Sequence, residues 1–140
     1  MSGILVDTNI LLYAYRPKEE DHRSDAARRD LAARFIAGDG YVSVQNLAEL
    51  SVVCLTKLKP ALDMKTLQEI LDSVEQGLTV LRPSSDTVRT ALRGVSDHGL
   101  SFWDAMLWAV AVEHHLSEIH SADFQDGRIL GGVRFRNPLH

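Results

Sequence analysis

"ILVDTNILLYAY", residues 4–15, sets an aspartate, a threonine and an asparagine between two apolar runs. Ile4, Leu5 and Val6 have the length of a short buried strand, and "NILLYAYR" after them has the look of a short helix. Asp7 therefore ends a strand, and in a parallel sheet ligands gather outside the carboxyl ends of the strands. The alternative is purely structural: Asp7 caps the helix, with Thr8 and Asn9 in the turn, since aspartate and asparagine are ordinary cap residues. The stretch alone leaves both readings open, and the rest of the chain has to decide between them.

Working outward, "SDAARRDLAARFIAGDG" is helix-forming up to the Gly38 and Gly40 pair. "YVSV" reads as a second strand. It leads into "QNLAELSVVCLTKL", with Leu47, Leu50, Cys54 and Leu58 at helical spacing and Pro60 as its end. "DMKTLQEILDSVEQG" predicts an amphipathic helix with Leu67, Ile70, Leu71 and Val74 inward and Gly77 as its stop. "LTVLRP" is a third strand, "SSDTVRTALRGV" a helix capped by Ser84 or Ser85, and "SFWDAMLWAVAVEHH" a strongly apolar helix. "SEIHSADF" and "GGVRFRNP" read as short strands or loops. Strands alternating with helices place the chain in the α/β class, with a parallel sheet covered on both faces.

The 140 residues suffice for one domain, and no repeat, linker or low-complexity tract divides them. A hydrophobic fraction of 45% and a charged fraction of 24% are those of a globular protein. The one cysteine, Cys54, excludes an internal disulfide and is expected in the core. Neither a secretory signal nor a long apolar run is evident, so a cytoplasmic location is expected. A net charge of -4 argues against a protein that coats nucleic acid by bulk electrostatics. The arginines recur in groups (Arg16, Arg23, Arg28, Arg29 and Arg34; Arg82, Arg89 and Arg93; Arg128, Arg134 and Arg136) and would suit phosphate, although a solvated helix face is the commoner role of such a group.

Acidic residues in apolar surroundings are the remaining oddity. Glu49 shares residues 41–58 with one other charge, Lys57; its structural explanation is a water-facing stripe with Gln45 and Asn46. Asp104 stands alone among Phe102, Trp103, Ala105, Met106, Leu107 and Trp108, where Ser101 and Asp104 together fit a capping box. Asp123 follows a strand, as Asp7 does, whereas an Asp-Gly turn accounts for Asp126. Each acid has a local explanation, but together they share one. Two carboxylates about 4 Å apart repel by about 4 kcal/mol at an effective dielectric of 20, so several converging need a cation. Oxygen donors favour Mg²⁺ or Mn²⁺, and no Cys/His set has zinc spacing; the adjacent His114 and His115 read as residues of a helix C-terminus.

The succession "LVDTNILLYA", "VSVQNLAEL", "GLSFWDAMLWAVAVE", "SADFQDG" and "GVRFRNP" resembles the PIN-domain family, specifically the VapC-like toxins of type II toxin-antitoxin modules. The resemblance spans nearly the whole chain and implies a single PIN-like domain over residues 1–140, a short central, mostly parallel sheet flanked by helices. It implies a metal-dependent endoribonuclease cutting single-stranded RNA, with Asp7, Glu49, Asp104 and Asp123 as catalytic metal ligands for Mg²⁺ or Mn²⁺. Thr8 and Asn9 would support Asp7, Ser101 would hold the turn that carries Asp104, and Asp126 would assist Asp123. Where many relatives read Ser-Glu-Asp, this chain has Ser121, Ala122 and Asp123, and its preceding strand is more polar than usual for the family. The resemblance also implies a small cognate antitoxin and a homodimer. Tyr15, Phe102 or Trp103 would be available to stack a base, although aromatics of an apolar helix are more often core.

Two enzymes and one binding module compete with this reading. A haloacid-dehalogenase-like phosphatase also begins with an apolar strand and an aspartate but wants a second aspartate at position 9, which here is Asn9. A response-regulator receiver wants a late lysine, and none follows Lys65. A catalytically inactive PIN-like module would keep the acids for metal or a basic peptide without turnover.

Overall fold

The computed structural model describes residues 3–16 and 21–139. β1 (Ile4–Val6) occupies the middle of a six-stranded sheet whose order is β3-β2-β1-β4-β6-β5. β2 (Gly40–Ser43) and β3 (Thr79–Leu81) lie on one side of it, and β4 (Glu118–His120), β6 (Val133–Arg136) and β5 (Ile129–Leu130) on the other. All neighbours pair in parallel except β5, which folds back antiparallel on β6. Ile4 and Leu5 are opposite Gly40 and Tyr41 in β2 and opposite Glu118 and Ile119 in β4. The chain leaves β1 for one flank and later returns to pair with its other edge. The strand order thus reverses at the carboxyl end of β1, the position where open α/β sheets leave a crevice.

Strand alternation gives the sheet two cores. Leu5 and Ile119 point with Val133 and Phe135 toward α5 (Ser85–His98) and α6 (Phe102–Glu113), where Ala91, Ala105, Leu107 and Val110 close the layer. Val6 and Val42 point the opposite way, toward α1 (Thr8–Tyr15), α2 (His22–Ala37), α3 (Val44–Thr56) and α4 (Met64–Gly77). Leu50 and Cys54 of α3 and Leu67, Ile70 and Val74 of α4 are buried there as their spacing predicts, while Leu47, Leu58 and Leu71 are partly buried.

Local chemistry sets most element ends. Asp21, Ser43, Asp63, Ser84 and Ser101 each precede a helix and accept one of its first amide hydrogens. Gly38 closes α2 in the left-handed conformation at φ 68°, where a side chain would be strained. Two expectations need correction, and one strand goes beyond them. Gly77 is still helical and the cap after it is Leu78; its missing side chain makes room for the Phe35 ring, whose atoms would lie 2.4 Å from a Cβ there. α3 ends at Thr56, before Pro60, because Leu58 N already bonds back to Val53 O. β5 was not foreseen, since two residues are too few for any periodicity to show.

The arginines near α2 are engaged with neighbouring side chains. Arg16, the C-cap of α1, pairs with Asp21, and from α2 Arg23 donates to the Tyr13 hydroxyl at 3.2 Å, Arg28 to Asp25 at 3.1 Å and Arg34 to Asp39 at 2.6 Å. The polar character of β4 has an equally specific cause. His120 is buried, with Nδ1 2.8 Å from Asp30 Oδ2 and Nε2 3.0 Å from Glu118 Oε1, so the strand faces a carboxylate from α2 where an apolar neighbour would be usual. No helix among the described residues is long and apolar enough to cross a membrane.

Candidate metal and phosphate site at the sheet rim

Asp7 follows β1 directly, at the strand-order reversal, and the cap reading of it holds. It is the N-cap of α1, with Oδ1 accepting from Thr8 N at 2.7 Å. Its other oxygen, Oδ2, accepts from the Ser121 hydroxyl at 2.8 Å, and Asn9 Nδ2 approaches it at 3.4 Å. Main-chain bonds hold this position from the other side, Asp7 N donating to His120 O at 3.0 Å. The carboxylate is therefore fixed by the ends of two adjacent strands.

Around it lies a polar lattice in which each group has a defined role. Ser121, fully buried, donates its one hydroxyl hydrogen to Asp7 and accepts from Asn9 Nδ2 at 3.2 Å and Asp123 N at 3.2 Å, which exhausts the capacity of a hydroxyl. Asn9 Oδ1 accepts from Ala122 N at 3.1 Å and ties α1 to the segment after β4. On the β2 side, Asn46 donates to Thr8 Oγ1 at 3.1 Å and, at the 3.5 Å limit, to Asp7 Oδ1, while its own oxygen accepts from Ser43 N at 3.1 Å. Thr8 passes the chain on, donating to Glu49 Oε1 at 3.2 Å.

Asn46 and Ser121 were not among the residues singled out as site candidates. Asn46 was expected on a water-facing stripe with Glu49, yet it is 1% exposed, because the box it forms with Ser43 turns it inward at the start of α3. That signal, a serine followed three residues later by an amide, was legible in "SVQN". Ser121 carried no local signal; only the pairing of β4 with β1 puts it beside Asp7.

The four predicted acids divide by position. Asp7 feels the charges of both Glu49 and Asp123. Burial, with Glu49 and Asp123 adding repulsion, raises the Asp7 pKa to about 6 against the opposing hydrogen bonds from Ser121 and Thr8. Glu49 and Asp123 are exposed at the rim. Asp104 lies in the first turn of α6, half-buried. Ser101 Oγ accepts from Asp104 N at 3.3 Å, but the reciprocal half of the expected capping box is not made, and the Asp104 carboxylate has no bonded partner among the described residues. Asp126 places Oδ1 3.0 Å from Asn137 N, beside the positive-φ Gly127, as the turn reading requires. His114 and His115 are exposed at the end of α6.

Among the described residues no cationic side chain lies within ion-pair distance of Asp7, Glu49, Asp104 or Asp123, and no three metal-ligating side chains already close around one point. A closed zinc-type cage is thus absent from the described residues. The donor set instead fits a hard cation of the magnesium kind, which keeps several waters and takes only one or two carboxylates. A raised Asp7 pKa among like charges is the electrostatic state that such a cation relieves.

The PIN domain model matches residues 4–125. A toxin-antitoxin complex from Klebsiella pneumoniae superposes with a TM-score of 0.70 at 20% identity over 97% of this chain and 98% of that one. DNA-bound VapBC from Salmonella typhimurium gives 0.69 at 16% over 99% of each chain. Mycobacterium tuberculosis VapC20, a sarcin-ricin loop cleaving toxin, gives 0.61 at 18% over 84% of this chain and 87% of that one. No curated protein matches the sequence.

Proposed function

The chain belongs to the PIN domain family, and from that premise we propose that it is a divalent-metal-dependent endoribonuclease acting on single-stranded RNA, the toxin of a toxin-antitoxin pair. PIN-domain nucleases generally use divalent metal ions. The observation that carries the proposal is the uncompensated carboxylate group at the strand-order reversal, with Asp7 pushed up to about 6 by burial and by Glu49 and Asp123. Beyond its cap bond to Thr8 N, Asp7 is met by neutral side-chain donors and by two further acids, with no basic side chain at ion-pair distance among the described residues. The neighbours supply the biological class: toxin-antitoxin complexes among them support an antitoxin partner, and the M. tuberculosis neighbour supports RNA as substrate.

In this reading Asp7, Glu49, Asp104 and Asp123 would hold Mg²⁺ or Mn²⁺. The ion supplies neutralisation of phosphate charge and acidification of the attacking water. Ser121 aims the Asp7 carboxylate by a short hydrogen bond, Asn9 and Asn46 assist by long ones of 3.4 and 3.5 Å that leave the oxygens room for a cation, and Thr8 orients Glu49. An exposed carboxylate, Glu49 or Asp123, accepts the proton of the attacking water. Asn9 in place of a second aspartate, bonded to Ala122 N, leaves the phosphatase alternative without its acid. A homodimer and a cytoplasmic location complete the proposal.

The test is cleavage of single-stranded RNA by the purified chain with Mg²⁺, Mn²⁺ or chelator, beside Asp7→Asn and Asp104→Asn variants shown to be folded. Cleavage that ignores both the chelator and the substitutions rejects the mechanism. Metal binding without turnover selects the inactive module.

A further inference from the structure

Glu49 belongs to the acidic rim and also lines an open groove of about 370 Å³ that runs beside α3 to the start of α6. Ala48, Val52 and Val53 give it an apolar floor, Gln45 and Lys57 its polar ends, and Trp103 is the one contribution from α6. Gln45 and Lys57 are twelve residues apart, which is about 18 Å along a helix.

The two tryptophans make an informative pair. Trp108 is buried and donates its indole N–H to Leu130 O at 3.0 Å. Trp103 is 61% exposed, and its indole N–H has no partner among the described residues. Its ring is nevertheless oriented: it meets the Phe102 ring edge-on, centroids 5.1 Å apart at 74°, and Phe102 is packed against the core. Phe102 and Tyr15 are committed to packing, and Tyr15 also shares a hydrogen bond with Ser73 at 3.1 Å. Of the three aromatics considered for stacking, Trp103 alone presents a free face beside the acids.

We propose that Trp103 is the stacking platform for one nucleobase of the single-stranded RNA whose phosphate sits at the acidic rim, with Gln45 bonding the base edge and Lys57 an adjacent phosphate. This rests on the nuclease reading above and specifies how its substrate is held. Three observations favour a nucleotide as occupant. The groove is continuous with the acidic rim through Glu49, and its volume is near the low end of small-ligand clefts, roughly 300–1,000 Å³. Lys57 has no ion-pair partner among the described residues, so a phosphate would meet an uncommitted charge. A chain of net charge -4 also gains little from bulk attraction to phosphate, which leaves base stacking as the attractive term that acidity does not oppose.

The experiment compares Trp103→Phe, Trp103→Leu and Trp103→Ala, each shown to melt like the wild type. Binding of an uncut single-stranded oligoribonucleotide is measured in wild type with chelator and in an Asp7→Asn background, and cleavage in the otherwise unaltered chain with Mg²⁺. Expected are about 5- to 100-fold weaker binding for Ala and Leu, a matching rise in KM with kcat little changed, and recovery of most of the loss by Phe. Binding should weaken only slowly with added salt. Leu equal to wild type, or all three variants equal to it, overturns the stacking role while leaving the nuclease reading intact. Loss of antitoxin binding or of dimerisation with RNA affinity unchanged overturns it in favour of a protein partner. If wild type does not cleave but binds the oligonucleotide through Trp103, the inference survives and the nuclease reading falls; if it neither cleaves nor binds, both fall.

Discussion

On the α2 side of β4, Asp30, Asp39 and Glu118 are met by His120, Arg34 and Arg136; at the rim beside the same strand, Asp7, Glu49 and Asp123 meet only hydroxyls, amides and one another. The two groups lie a few residues apart and are built from the same chemistry. The first is internally neutralised, so its charges serve to join α2 to the sheet. The second is held in shape by neutral donors and keeps its negative charge available. A cluster of acids becomes informative about function when the fold orients it without neutralising it.

Breaking the rim should have the largest effect. Asp7→Asn is expected to lower metal-dependent cleavage by at least about 100-fold, because the carboxylate at the strand-order reversal loses its charge while the cap on α1 survives. A single-turnover assay at saturating Mg²⁺ measures it, and retention of a tenth of wild-type activity would contradict the contrast drawn here. Breaking the neutralised cluster should leave the rim chemistry in kind but unfold the protein more easily. His120→Ala leaves Asp30 and Glu118 only the longer contacts to Arg34 at 4.0 Å and Arg136 at 3.7 Å, at an expected cost of about 3 kcal/mol in urea denaturation.

The pH dependence sharpens the comparison, since the clusters titrate in different windows. Asp7 is an acid whose folded pKa, about 6, lies above its ordinary 3.8, so the metal-free fold binds the extra proton and loses stability as pH rises between those values. The loss amounts to up to about 3 kcal/mol at one to two pH units above the shifted value. Saturating Mg²⁺ should return most of it, and denaturation at pH 4.5 and 7 with and without the ion reads this directly. His120 behaves differently. Burial works against its charge, but Asp30 and Glu118 outweigh burial and hold its pKa above the ordinary 6.5. Its contribution is complete below 6.5 and fades as pH rises through the raised value, a second decline that His120→Ala should abolish.

Smaller effects test the packing beside each region. Gly94→Ala would put a Cβ 2.8 Å from the Trp108 ring and should cost about 1–3 kcal/mol in thermal melting. Asp126→Ala removes the acceptor for Asn137 N and should cost about 1 kcal/mol while cleavage changes less than twofold. A cleavage defect larger than that would return Asp126 to the rim.

The sequence by itself determined the local elements and the acids. Apolar strands bounded by cap residues give the alternating pattern, because capping and burial periodicity act over a few residues; Asp7, Glu49, Asp104 and Asp123 are visible because each interrupts an apolar or helical run. The resemblance carried by those stretches reached the family, which the match over residues 4–125 confirmed. Sequence did not reveal that Ser121 holds Asp7, that Trp103 is exposed while Trp108 is buried, or that the polar residues of β4 face α2. Ser121 and Asp7 are 114 positions apart, and their contact follows from β4 pairing with β1 after the chain has crossed the sheet. Only the tertiary structure decided which acids are neutralised and which stay charged, because neutralisation depends on which side chains lie within a few ångströms and periodicity along the chain carries no such distances.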